Sequence, residues 1–350
     1  MTNSTRRFIW LAALLLLLGA ALRILTMQVH GLDGDDAFSL MMADQPLGVL
    51  LRTFANIEIE RHPKLYFLLL HGWTRLLGMS DFSGHLFSTM VDLLLGAALV
   101  RFGAAIFDRR VGLIAGLLWA ANPLLIWTSG HVRMYTLLAA LAGVAWLALI
   151  LAMERPRPAL WIIAAAATAG AAYTHILGFV VLVGSGLLAG LALLMRRRWG
   201  GIAAMVAAGL AYVPYALNLW AIRTSGANVS DRPPQSPLDF VLALLTSLTA
   251  NRPPVPEPLL WLLALGALAL IVFAVRQRPR SAVVGTLAVL AVMSLAAAWF
   301  ALQEGIFASK YVSYVAPPFL LALAAGIGAL RPGWLRGAAL AGLVAFGAVG

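Results

Sequence analysis

Cysteine is missing from all 350 residues, which excludes disulfides, thiolate nucleophiles and cysteine-ligated metals and leaves carboxylates and histidines as the ligands for any metal. Charge is also scarce. Only 11% of residues are Asp, Glu, Lys or Arg, against 62% hydrophobic, too polar-poor a balance for a soluble domain. Lysine is nearly absent, with Lys64 and Lys310 the only two among 25 basic residues. Alternating strands of about ten residues, the pattern of a membrane barrel, do not occur. No internal repeat suggests a transporter built from two related halves.

What remains is a succession of apolar runs, each roughly 17 to 25 residues and long enough to cross a hydrocarbon core of about 30 Å as a helix. They predict an all-α polytopic membrane protein with about ten or eleven transmembrane helices. The spans are Phe8 to Met27, Phe82 to Phe107, Val111 to Trp127, Met134 to Met153, Ala159 to Thr174, Leu177 to Met195, Gly201 to Ile222, Pro258 to Val275, Ala282 to Leu302, Val312 to Leu330 and a last one from Trp334. The first has the basic start of a signal peptide, but its long apolar run and the lack of a small-x-small site predict an uncleaved helix. The last is cut short at Gly350, as in an incomplete chain.

Three regions follow: a membrane module over 1–222 that includes a first outer loop at 28–80, a proline-rich outer loop at 223–257, and C-terminal helices over 258–350. Within the first loop, Ala37 to Phe54 and Lys64 to Leu77 are amphipathic and suit the interface. So does Leu238 to Ala250, which lies between proline clusters and is too short to cross.

The net charge of +11 is divided among short arginine clusters between the spans, which does not match the continuous basic face of a nucleic-acid binder. Arg6-Arg7, Arg109-Arg110, Arg155 with Arg157, Arg196 to Arg198, Arg276 with Arg278 and Arg280, and Arg331 with Arg336 all fall on one side. The positive-inside rule makes that side, and the N-terminus, cytoplasmic. Fifteen of the 25 basic residues lie there with only 2 of the 14 acids, Asp108 and Glu154. Asp92 is left inside the membrane, where it must pair with a neighbouring helix or line a cavity. The other acids face outward with both lysines and the longer loops, so chemistry is expected at the outer surface.

Asp35 and Asp36 open the first interfacial helix. They suit a general base for a hydroxyl acceptor, and equally a solvated helix start, where acids are favoured by free amides and the dipole. His62-Pro63-Lys64-Leu65-Tyr66-Phe67 opens the second, with a proline at the first turn and a lysine beside exposed amides, a natural anion site. Arg133 and Tyr135 follow in the next outer turn, then Tyr173-Thr174-His175, then Lys310-Tyr311. Arg133 suits a pair of phosphate oxygens or a snorkelling helix end, and His131 and His175 taken singly suit structural roles. Glu58 and Glu60 with Asp35 and Asp36 offer oxygens to a divalent cation, although no metal or cofactor is required.

The order of these motifs resembles the GT-C glycosyltransferases, in particular the bacterial branch of protein O-mannosyltransferases and lipid A aminoarabinose transferase. That branch shows an acidic pair in the first outer loop, His-Pro-Pro-Leu-Tyr-Tyr, a basic turn, a Ser-Gln-Glu-Ala-Arg-Met-Tyr-like stretch and Thr-His-Tyr. The counterparts are Asp35-Asp36, His62 to Phe67, Phe107 to Arg110, Ser129 to Tyr135, and Thr174-His175-Ile176. Asp36 departs from the usual Glu, Lys64 from the second proline, and Gly130-His131 from Gln-Glu.

The resemblance implies inverting transfer of one sugar from a polyprenyl-phosphate donor to a glycan, lipid or protein hydroxyl at the outer face of a bacterial inner membrane. In that scheme Asp35 is the base, with Asp36 beside it. Lys64, Arg133 and Lys310 meet the phosphate, and His62, Tyr66, Tyr135, His175 and Tyr311 bind substrate. A flippase for a lipid-linked sugar is the rival reading, and it would require polar groups at mid-membrane or on the inner face. An outer-surface hydrolase would require a nucleophile paired with a base.

Overall fold

In the computed structural model, residues 2–27, 31–53, 62–224, 236–251, 256–277, 280–304 and 308–347 are described. Hydropathy alone makes the first long helix, α1 (Asn3–Met27). Asp33 then caps α2 (Gly34–Asp44), and Gln45-Pro46 breaks the first amphipathic stretch before α3 (Leu47–Arg52). The second stretch is α4 (Leu65–Leu77). Two capped helices follow, α5 (Asp81–Ile106) behind Ser80 and α6 (Arg109–Ala120) behind Asp108, each cap accepting a bond from the amide three residues on. The chain continues through α7 (Pro123–Ser129), α8 (Tyr135–Glu154), α9 (Pro158–Ala172), α10 (Gly178–Arg196) and α11 (Trp199–Thr224). Beyond the proline-rich region come α12 (Pro237–Ala250), α13 (Glu257–Gln277) and α14 (Arg280–Glu304). A 3₁₀ segment, Ser309–Val315, leads into α15 (Ala316–Ala329), and α16 (Gly333–Gly347) is last.

The fold is that of an all-helical, multi-pass membrane protein. Among the described residues eight helical stretches are long and apolar enough to cross a membrane, or nine if the bent pair α6–α7 forms one span. The expected ten or eleven therefore resolves into spans and shorter pieces. Val111 to Trp127 reads as one straight run, but Asn122-Pro123 divides it and α7 departs from α6 by 58°. Proline lacks the amide that would continue the ladder; the Asn122 side chain caps the new helix and also donates to the Leu248 carbonyl of α12 at 2.8 Å. The 15 residues of α9 rise only about 22 Å, short of a hydrocarbon core, and α16 is equally short.

Two ends of the bundle are distinguishable. At one, Arg109 donates to Ser4 and Thr5, and Arg196 lies 3.5 Å from Glu154. At the other, α2 to α4 pack against the start of α5, where the Trp73 indole donates to the Ser83 carbonyl at 2.9 Å. The core runs through α8 and α15, both almost wholly buried.

Close approach of α1, α5 and α6 depends on glycine. A Cβ on Gly19 or Gly96 would lie 2.4 or 2.5 Å from the Trp119 ring, so the indole occupies space that any larger residue would fill. Arg23 lies over that ring at 4.2 Å and forms an ion pair with Asp92 through its Nε. Its remaining donors reach the carbonyls of Gly19, Trp119 and Ala120, and the Trp119 indole donates to Asp92 Oδ2 at 3.0 Å. Asp92 thus pairs with a neighbouring helix, through an Arg23 that is itself fully buried.

Candidate functional site

The start of α2 sets the geometry of the candidate site. Asp33 Oδ1 accepts the Asp36 amide at 2.7 Å, which fixes a first helical turn containing both predicted acids. Successive residues on a helix point about 100° apart, so the adjacent carboxylates separate. Asp36 turns inward, fully buried, with Oδ1 accepting the Val132 amide at 2.8 Å and Oδ2 3.4 Å from His131 Nδ1. Asp35 turns to an open side, its side chain 49% exposed, with Oδ2 3.2 Å from Lys310 Nζ and 3.9 Å from Arg133 Nε.

Arg133 is itself buried. Its Nη1 donates to the Asp35 carbonyl and to Ser39 Oγ, both at 3.3 Å, while Nε has no hydrogen-bond partner among the described residues. Partial burial pushes the Asp35 carboxyl up, but Arg133, the Lys310 hydrogen bond and charge, and His62 outweigh it and hold the group below the usual carboxylate range.

Aromatic groups form the adjoining wall. The His62 and His175 rings stack at 4.3 Å; Tyr135 lies 5.5 Å from His175 and 5.9 Å from Tyr311. Lys310 stands 5.4 Å from the Tyr135 ring and 5.9 Å from that of Tyr311. Burial and then the Arg133 charge depress the His62 imidazole to about 3. Burial, with His62, Arg133 and Lys310, carries His175 well below its ordinary value. Both rings are therefore neutral near pH 7. His175 Nδ1 accepts the Leu177 amide at 3.0 Å, which assigns the ring proton to Nε2.

Seven predicted residues thus converge: Asp35, His62, Arg133, Tyr135, His175, Lys310 and Tyr311. Lys64 is placed differently, buried with its amine donating to the Thr53 carbonyl at 2.7 Å. The amide of the next residue, Leu65, bonds the Tyr173 carbonyl at 3.1 Å, so this segment ties α3, α4 and the α9–α10 turn together. Tyr66 is buried against Phe67 and Phe87. Glu58 and Glu60, and the Pro233-Pro234 and Pro253-Pro254 clusters, lie outside the described residues. Leu238 to Ala250 forms the expected short helix, α12, whose Ser247 meets Ser309 at 3.0 Å beside Lys310.

Asp33 is a functional candidate that sequence reasoning passed over, and His131, read from the sequence as structural, joins it. With Asp36 they place one ligand atom each within 4.8 Å of one another, a spacing open to a metal ion. For Asp33 the local signal was the Asp33-x-x-Asp36 spacing of a helix cap; for His131 it was a place in the same Ser129–Tyr135 stretch as Arg133.

Residues 61–220, a little under half of the chain, match the family described as dolichyl-phosphate-mannose-protein mannosyltransferase. Two solved structures of ArnT from Cupriavidus metallidurans, one in the apo state and one bound to undecaprenyl phosphate, share the fold. Each aligns with a TM-score of 0.65 at 16% identity, over 95% of this chain and 61% of that one. The chain therefore spans about three fifths of the length of those structures. No curated protein matches it.

Proposed function

We propose, for a chain whose residues 61–220 match the dolichyl-phosphate-mannose-protein mannosyltransferase family, that it is an inverting glycosyltransferase. It takes a single sugar from a polyprenyl-phosphate donor to an acceptor hydroxyl at the outer face of a bacterial plasma membrane. The observation that carries this reading is one half-exposed carboxylate, Asp35, shared between the cations Arg133 and Lys310. In support, one solved structure of similar fold is of ArnT bound to undecaprenyl phosphate, and Arg109 and Arg196 lie at the end of the bundle away from α2.

The reaction calls for this pairing of charges. The acceptor oxygen attacks the anomeric carbon opposite the phosphate, its proton passes to Asp35, and the breaking bond leaves its electron pair on the phosphate. The phosphate gains negative charge as the bond breaks, so cations stabilise the transition state more than the ground state. Arg133 and Lys310 are those cations, and Arg133 Nε is the spare donor. While both hold Asp35, its low basicity makes it a poor base. Donor phosphate draws them away, and the carboxylate becomes more basic when an acceptor needs it.

The wall of His62, His175, Tyr135 and Tyr311, its two imidazoles neutral near pH 7, gives the sugar a stacking and hydrogen-bonding surface that does not compete for the phosphate. Lys64 acts one step back by fixing Thr53 to the start of α4, and Tyr66 by packing. Glycan, lipid and protein hydroxyls are all chemically competent acceptors.

The test is to incubate purified protein with a panel of polyprenyl-phospho-sugars and candidate acceptors and to measure sugar-dependent release of polyprenyl phosphate. Release with at least one donor is expected. Movement of a donor across vesicle bilayers without cleavage would replace the transferase by a carrier of lipid-linked sugars.

A further inference from the structure

On the side of α2 opposite Asp35, each acid divides its two oxygens between two tasks. Asp33 spends Oδ1 on the Asp36 amide and leaves Oδ2 3.9 Å from His131 Nδ1. Asp36 spends Oδ1 on the Val132 amide and leaves Oδ2 3.4 Å from the same nitrogen. The backbone bonds orient the carboxylates, and the free oxygens converge on one imidazole, which the Trp127 ring holds from the side at 4.5 Å. Ligands on a metal with bonds of about 2.1 Å stand about 3.4 Å apart in a tetrahedral shell and about 3.0 to 4.2 Å in an octahedral one. The two distances to His131 fall in that range, and the three ligand atoms all lie within 4.8 Å of one another.

A second observation points the same way. His85, at the start of α5, is 4% exposed; its ring meets the Gly130 backbone, its Nδ1 has no hydrogen-bond partner among the described residues, and it lies within electrostatic reach of Asp36, His131 and Asp81. A buried imidazole with an idle nitrogen is costly unless something uses its lone pair. Asp33, by contrast, is 53% exposed in its side chain, which leaves a path from solvent.

We propose that Asp33, Asp36 and His131 bind one divalent transition-metal ion, Zn²⁺ or Mn²⁺. Imidazole nitrogen together with carboxylate oxygen favours these ions over Mg²⁺ or Ca²⁺, which prefer all-oxygen shells. The ion joins the start of α2 to the turn between α7 and α8, the two segments that carry Asp35 and Arg133. It therefore sets the spacing of the candidate site from behind and does not touch the substrate.

The test uses the full chain in detergent, stripped with a chelator, reloaded with Zn²⁺ or Mn²⁺ and desalted. One equivalent should remain, bound Mn²⁺ should show imidazole-nitrogen coupling by electron paramagnetic resonance, and metal should raise the melting temperature. His131→Ala should abolish all three. Asp33→Asn guards against misfolding, because asparagine caps a helix as well as aspartate does, yet it removes the charged ligand; it should weaken binding at least tenfold. Wild-type protein that retains no metal, or variants that bind as wild type does, would overturn the proposal and leave the cluster as a hydrogen-bonded brace around His131. These readouts do not require sugar transfer, so the metal site and the transferase reading stand or fall separately.

Discussion

Asp92 and Asp35 each face an arginine, yet the two pairs have opposite environments. Arg23 and Asp92 are wholly buried, and the guanidinium reaches an acid and three backbone carbonyls while an indole donates to the acid. Only Asp92 Oδ1 is left without a hydrogen bond. A buried Arg133 meets a half-exposed Asp35 at 3.9 Å, with a lysine competing for the same oxygen and a guanidinium nitrogen that makes no hydrogen bond. A saturated pair in a dry interior resists exchange of partners, whereas an unsaturated one at an opening can trade its carboxylate for a phosphate at little cost. Composition is the same in both. Completeness and access separate a brace from a site.

The comparison can be broken at either pair. Its largest expected effect is on activity: Asp35→Asn should cut transfer by about 10² to 10⁴, the usual worth of a positioned base, while the melting temperature in detergent stays put. Normal turnover would remove Asp35 from the mechanism. Next comes Arg23→Met, which strands Asp92 and should cost about 3–5 kcal/mol of stability. The double variant Arg23→Met, Asp92→Leu should regain most of that loss in thermal unfolding, because a buried ion pair is often replaceable by apolar packing. Activity per folded molecule should be unchanged in both, and a specific loss of transfer would mean that the brace belongs to the site.

The smallest effect is a shift along the pH axis. Asp35 is depressed because its cations outweigh its burial, so it is ionised and competent above its folded value and lost as pH falls through it. Arg133→Gln removes the largest of the lowering contributions. The acid limb of the pH–rate profile should then move to higher pH, on top of a fall in maximal rate. An unmoved acid limb would assign it to another group.

How much of this was legible beforehand depended on distance along the chain. Hydropathy and the arginine clusters identified the apolar helices, and each predicted run corresponds to a helix or a bent pair. The break at Asn122-Pro123 carried a local proline signal, but its 58° angle depends on where α12 lies. The Asp35, Arg133 and Lys310 motifs were visible as unusual residues in outer turns. Lys64 shows the limit: as one of two lysines it looked as exposed as Lys310, and tertiary packing buried it against Thr53. Asp36 is similar, since a pair of adjacent acids reads as one unit until a helix turns them apart.

By itself, then, the sequence determined the solvent of this protein, its helices and the side on which its scarce acids and lysines gather, because burial in a bilayer and loop charge are properties of short segments. Which charges met was decided only by the fold. Arg23 finds Asp92 across 69 residues and Lys310 finds Asp35 across 275, and such contacts depend on helix packing, on glycines that admit Trp119, and on the direction in which a helix turns two neighbouring carboxylates.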